Sequence, residues 1–145
     1  MMSDLNDFLK NKLSEKTVME FNADEEKKKW ISKVNCLLNN IKQWINDSVE
    51  EGLIQINNKD IEIEEELLGE YKIRSVVLKT KWDSIYIEPI GRMIIAAIGR
   101  VDIYNAKGNY TLLLTSDRGW LVKIDGKYKI FDEKLFTQII KELMA

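Results

Sequence analysis

Between residues 84 and 105 the chain reads SIYIEPIGRMIIAAIGRVDIYN, which sets Glu88, Arg92, Arg100, Asp102 and Tyr104 around an uninterrupted apolar run at residues 93–98. In an extended strand Arg100, Asp102 and Tyr104 share one face while Val101 and Ile103 share the other. A guanidinium and a carboxylate would then stand side by side at the exit of a buried strand. Arg92 follows Gly91, where a bend in the backbone can aim it into a pocket. Arginine beside aromatic rings, here Tyr86, Tyr104 and Trp120, is the chemistry that holds a phosphate, a carboxylate or a stacked base. The first expectation is therefore a ligand-binding group of Arg92, Arg100, Asp102, Tyr104 and Glu88, taking a small anionic or nucleotide-like molecule. The competing expectation for the same residues is an ion pair that closes the end of a sheet.

A second set has a different chemistry. Trp82 and Asp83 occupy a turn, and an exposed tryptophan is a common anchor of protein interfaces. Glu62 and Glu64 belong to an acidic group with Glu65, Glu66 and Glu70. Together they would form the contact surface of a protein-interaction module, of the inhibitor or immunity type. A cation site needs oxygen ligands converging from a tight loop, so these carboxylates read as an exposed strand face and no metal is expected.

The absences narrow the chemistry. The chain has no histidine, which removes Ser-His and Cys-His nucleophiles and histidine metal sites. Cys36 is the only cysteine, so neither an internal disulfide nor a CxxC site can form; among Val34, Leu37 and Leu38 it is expected to be buried and inert. Gly91 and Gly99 flank a strand and do not make a phosphate cradle. With 24 acidic residues, carboxylate pairs arise too freely to single one out for acid–base work. The expected protein is non-catalytic and has no cofactor.

Composition sets the remaining limits. A net charge of −2 does not suit a nucleic-acid binder, which needs a basic stripe. No stretch approaches the roughly 20 apolar residues that cross a bilayer, and the first residues lack the apolar core of a secretory signal, so no membrane partner and a cytoplasmic location are expected. Of 22 basic residues only Arg74, Arg92, Arg100 and Arg118 are arginine. That bias points to an AT-rich coding sequence of bacterial or phage type.

The elements that must position these groups follow from periodicity. A short helix is expected over 4–14 with Leu5, Phe8, Leu9 and Leu13 on one face, then a link at 17–21. A long amphipathic helix follows from an Asn22–Glu25 capping box to a stop at Gly52. Its stripe is Trp30, Val34, Leu37, Ile41 and Trp44; at about 43 Å it should overhang the sheet or meet a second chain, making a homo-oligomer possible. Beyond Gly52 the period becomes two. Ile54 and Ile56 alternate, Asn57–Asp60 reads as a turn, and Ile61 and Ile63 alternate again, which predicts a hairpin. Further strands are expected over 71–80, 85–88, 110–115, 120–124 and 127–131, with Pro89 marking a strand end, edge or bulge. Asp132 should cap a final helix over 133–144. The expectation is one α+β domain over 1–145: a helical part at 1–52, a curled antiparallel meander of about seven or eight short strands at 53–131, and a C-terminal helix at 132–145.

Overall fold

The computed structural model describes residues 2–92 and 99–145, with the backbone alone at residues 2–3 and 12–22. The apolar run at 93–98, expected as a strand buried on both faces, lies outside the described residues. The order is α1 (Met2–Trp44), α2 (Asn46–Glu50), β1 (Gln55–Glu65), β2 (Gly69–Lys79), β3 (Ser84–Gly91), β4 (Gly99–Asn105), β5 (Gly108–Thr115), β6 (Gly119–Ile124), β7 (Lys127–Ile130) and α3 (Glu133–Met144). The strands form one sheet in chain order, β1-β2-β3-β4-β5-β6-β7, and every neighbouring pair is antiparallel. The α+β meander with a helix at its C-terminal end is the architecture that the sequence implies.

Two boundaries differ from expectation at the start of the chain. The expected link at 17–21 is helical, and α1 runs through it; no Gly or Pro occurs before Gly52 to break it. The helix turns at Ile45 and finishes as α2. Gly52 then ends the helical part in the left-handed region at φ +77°, with Leu53 N donating to Ser48 O at 2.9 Å.

The expected hairpin turn at Asn57–Asp60 is absent. Those four residues pair with Val77, Val76, Ser75 and Arg74 inside one continuous strand, and the reversal comes at 66–68, ahead of Gly69 at φ +72°. Inward positions of β2 switch from Tyr71, Ile73 and Ser75 to Val76 and Leu78, and β1 switches opposite them, from Ile61 and Ile63 to Ile56. The change of parity that mimics a turn is a change of face in a coiled hairpin. Ser75 Oγ, itself buried, donates to Lys59 O at 2.8 Å at that point.

The sheet curls around α1. Trp30 Nε1 donates to the Tyr71 hydroxyl of β2 at 3.0 Å, its ring lies 6.0 Å from that of Trp120 on β6, and it presses on Gly99 of β4 so closely that a Cβ there would sit 2.2 Å from Cζ3. Strands two, four and six therefore all reach one indole. Val34, Leu37, Leu38 and Ile41 continue the stripe into the core, where α3 adds Phe136, Ile139 and Leu143. Trp44 meets Phe131 and Phe136 edge-on or tilted, with centroids 5.7 Å away in each case. Asp132 caps α3 by accepting from Leu135 N at 2.9 Å. Cys36 is exposed, contrary to expectation. It stands two residues, about 200° of helix, from Val34 and so points away from the stripe.

α1 and α3 cover one face of the sheet. Among the described residues no helix covers the other face, and it carries the candidate site.

Candidate functional site

The open face is assembled from cross-strand rows. Alternation along β3, β4 and β5 turns Ile87, Val101, Ile103 and Leu112 inward, leaving Tyr86, Glu88, Arg100, Asp102, Tyr104 and Thr111 on the outer side. Registry places Tyr86 opposite Tyr104 and Glu88 opposite Asp102, and Asp102 opposite Thr111. Pro89 fulfils the expectation of a bulge: the β3–β4 register shifts between Pro89 and Gly91. Alternation along β3 continues through the shift, so Ile90 stays on the outer side with Tyr86 and Glu88, 45% exposed.

Arg100 grips Asp102 with two bonds, Nε to Oδ1 at 2.8 Å and Nη2 to Oδ2 at 2.9 Å. Thr111 Oγ1 adds a third at 3.1 Å to Oδ1. The Asp102 side chain is 9% exposed against 35% for Arg100, so the carboxylate is sunk and the guanidinium lies over it. Hydrogen bonding to Asp102 raises the Arg100 pKa above its ordinary value. The rings of Tyr86 and Tyr104 stack with centroids 5.3 Å apart and planes 21° apart. Partial burial, followed by a hydrogen bond to Glu88, raises the Tyr104 pKa. Beside them Glu88, Ile90, Asp102, Tyr104 and the 105–109 turn line an open hollow of about 470 Å³.

Four of the five expected ligand residues, Glu88, Arg100, Asp102 and Tyr104, thus converge. Arg92 does not join them. Its Nη2 pairs with Glu26 Oε2 of α1 at 2.8 Å, and its backbone N donates to Glu65 Oε1 at 2.6 Å. The same Glu65 accepts from the Tyr71 hydroxyl, which itself accepts from Trp30. Burial, and then the hydrogen bond to Glu65, push the Tyr71 pKa well up. This chain of bonds ties α1, β1, β2 and the end of β3 together, and it gives Arg92 a structural place.

The expected interaction residues are scattered. Trp82 stands out from the β2–β3 turn, 77% exposed. Asp83 folds back: Oδ1 accepts from Ser84 N at 2.8 Å and Oδ2 from Asn105 Nδ2 at 3.2 Å. Glu62 and Glu64 are exposed on β1, opposite Lys72 and Glu70. Trp82 follows the Gln55–Lys79 end of the hairpin, so these acids lie seven to nine residues away, at its other end. That separation is roughly 25 Å along an extended strand, too far for a single hot spot.

Another row on the open face was not singled out from the sequence. Arg100 pairs with Gly91, the neighbour of Ile90, and with the half-buried Leu113, Leu113 with the buried Leu121, and Leu121 with Ile130. It crosses five strands, about 19 Å at ordinary strand spacing. Ile130 is 63% exposed, and Tyr128, next along β7, is 53% exposed, with Lys123 Nζ 5.7 Å from its ring centroid. The signal lay in Leu112-Leu113-Leu114 of β5: consecutive apolar residues in a strand place a hydrophobe on both faces.

Compared with protein-family models, curated proteins and solved structures, the chain has no match. Among the described residues no group of acidic or cysteine side chains is arranged to hold a metal ion, and no helix is long and apolar enough to cross a membrane.

Proposed function

We propose that the protein is a non-catalytic binding protein that engages another protein through the open face of its sheet, as an inhibitor-type module would. The observation that carries this reading is the set of exposed apolar side chains at the two ends of one cross-strand row, Ile90 on β3 and Ile130 with Tyr128 on β7, joined by the half-buried Leu113 and the buried Leu121. An antiparallel sheet with one solvated face normally shows polar residues there, and apolar groups with tyrosine and arginine mark interface cores. The partner would bring apolar side chains to the row, a carboxylate to Lys123, and a hydrogen-bond donor to Glu88.

A small ligand in the hollow beside Tyr104 is the second reading, favoured by the concavity itself and by the stacked tyrosines. An anion suits it less than the residue types imply, because Asp102 already neutralises Arg100 and Glu88 adds negative charge.

The test compares wild type with Ile130→Glu and Tyr86→Ala in binding to proteins of the native host, with native mass spectrometry of the purified protein alongside. The expected outcome is a stoichiometric protein complex that either variant weakens at least tenfold while the melting temperature stays within about 2 °C, as for a surface change. A complex indifferent to both changes would refute the proposed surface. A co-purifying mass of a few hundred daltons, lost with Tyr104→Ala, would favour the second reading.

A further inference from the structure

On the helix side, α1, α2, α3 and the adjoining ends of β2 and β3 leave a cavity of about 250 Å³. Its wall is apolar: Trp44, Ile45, Ile54, Leu78, Ile85 and Phe136 form most of it. Apolar cavities of about 150 Å³ stay dry and admit benzene, so this one has room for a hydrocarbon of roughly eight to ten carbons.

The polar groups at its rim are Ser48, Thr80, Thr137 and Lys141, and two of them are already committed. Thr80 Oγ1 donates to Asp83 O and accepts from the Trp82 and Asp83 amides. Thr137 Oγ1 donates to Glu133 O at 2.9 Å. The Ser48 hydroxyl and the Lys141 ammonium have no hydrogen bond or ion pair with any described residue. Lys141 also lacks the usual acidic side-chain partner on its helix face, since one turn away stand Thr137, Gln138, Met144 and Ala145. An apolar hole that ends at one ammonium and one hydroxyl is complementary to a hydrocarbon chain carrying a carboxylate.

We propose that this cavity binds a small amphipathic monocarboxylate, with its chain among Trp44, Ile54, Ile85 and Ile140 and its acid group on Lys141 and Ser48. The site lies on the opposite side of the sheet from the protein-binding face and does not depend on that reading.

The experiment titrates the full chain with octanoate and with 1-octanol, following isoleucine methyl resonances by NMR. Saturable shifts at Ile45, Ile54, Ile85 and Ile140 are expected, with octanoate binding at least tenfold tighter than 1-octanol. Lys141→Glu should weaken octanoate at least tenfold and leave 1-octanol unchanged. Lys141 is exposed, so the variant should fold, and Lys141→Gln provides the same comparison with less charge change. The proposal is overturned if those methyls do not shift saturably, if the alcohol binds as tightly as the acid, or if both Lys141 variants bind octanoate like the wild type.

Discussion

At the scale of single residues, chemistry is decided by what each charge is already bound to. Arg100 and Arg92 look alike in the sequence, each beside a glycine near the same apolar run. In the fold one lies over Asp102 on the open face and the other joins Glu26 and Glu65 at the α1 seam. The Glu65–Tyr71–Trp30 chain makes an alkaline prediction. Tyr71 is held above the ordinary tyrosine value of 10.0 by burial and then by Glu65. A raised folded-state pKa means that the folded chain keeps a proton which the unfolded chain releases. The stability it contributes is complete below the unfolded value and declines as pH rises above it. Urea unfolding should therefore show stability level up to about pH 10 and falling steadily as pH rises beyond it. Tyr71→Phe should cost about 1–3 kcal/mol at neutral pH, through the bonds lost by Trp30 and Glu65, and should flatten that decline. An unchanged alkaline slope in the variant would show that Tyr71 is not its source.

At the scale of elements, much of the fold is legible because hydrophobic period and turn chemistry agree. The Trp30–Ile41 stripe, the Gly52 stop, the Asp132 cap and the antiparallel meander all follow from residue types at fixed spacing, whereas the strand order does not. The Asn57–Asp60 turn does not hold, because local signals cannot distinguish a reversal from a strand that changes face; only the pairing with β2 decides it. The site was legible where neighbours lie along one strand, as with Arg100, Asp102 and Tyr104. The row from Ile90 to Ile130 was not, because it depends on the registry of five strands. Gly99 shows the same dependence on partners. As a sequence element it merely bounds a strand, yet its bare Cα lets β4 lie against Trp30. Gly99→Ala should cost about 1–3 kcal/mol through overpacking. Combined with Trp30→Phe it should cost less than the sum of the single changes, since the smaller ring makes room. Strict additivity in urea denaturation would indicate that the methyl is accommodated elsewhere.

At the scale of the molecule, helices close one face of the sheet, and the side chains of residues 4–11 at the start of α1 are exposed. Ala23 is the first described residue of α1 packed against the core, whereas Leu5 and Leu9 are 62% and 52% exposed. Local stability follows buried contacts, so amide exchange should be graded. Val101, Ile103 and Leu112, each 0% exposed on central strands, should exchange only through global unfolding. Residues 4–11, all of them exposed, should exchange orders of magnitude faster, through local fraying at the start of the helix. Measured at several protein concentrations, the same experiment addresses self-association. In a monomer the rates at 4–11 are independent of concentration. A second copy that covers Leu5 and Leu9 would slow them progressively as concentration rises, while the central strands stay unchanged. Slow exchange at 4–11 even at the lowest concentration would contradict the exposure of Leu5 and Leu9 itself.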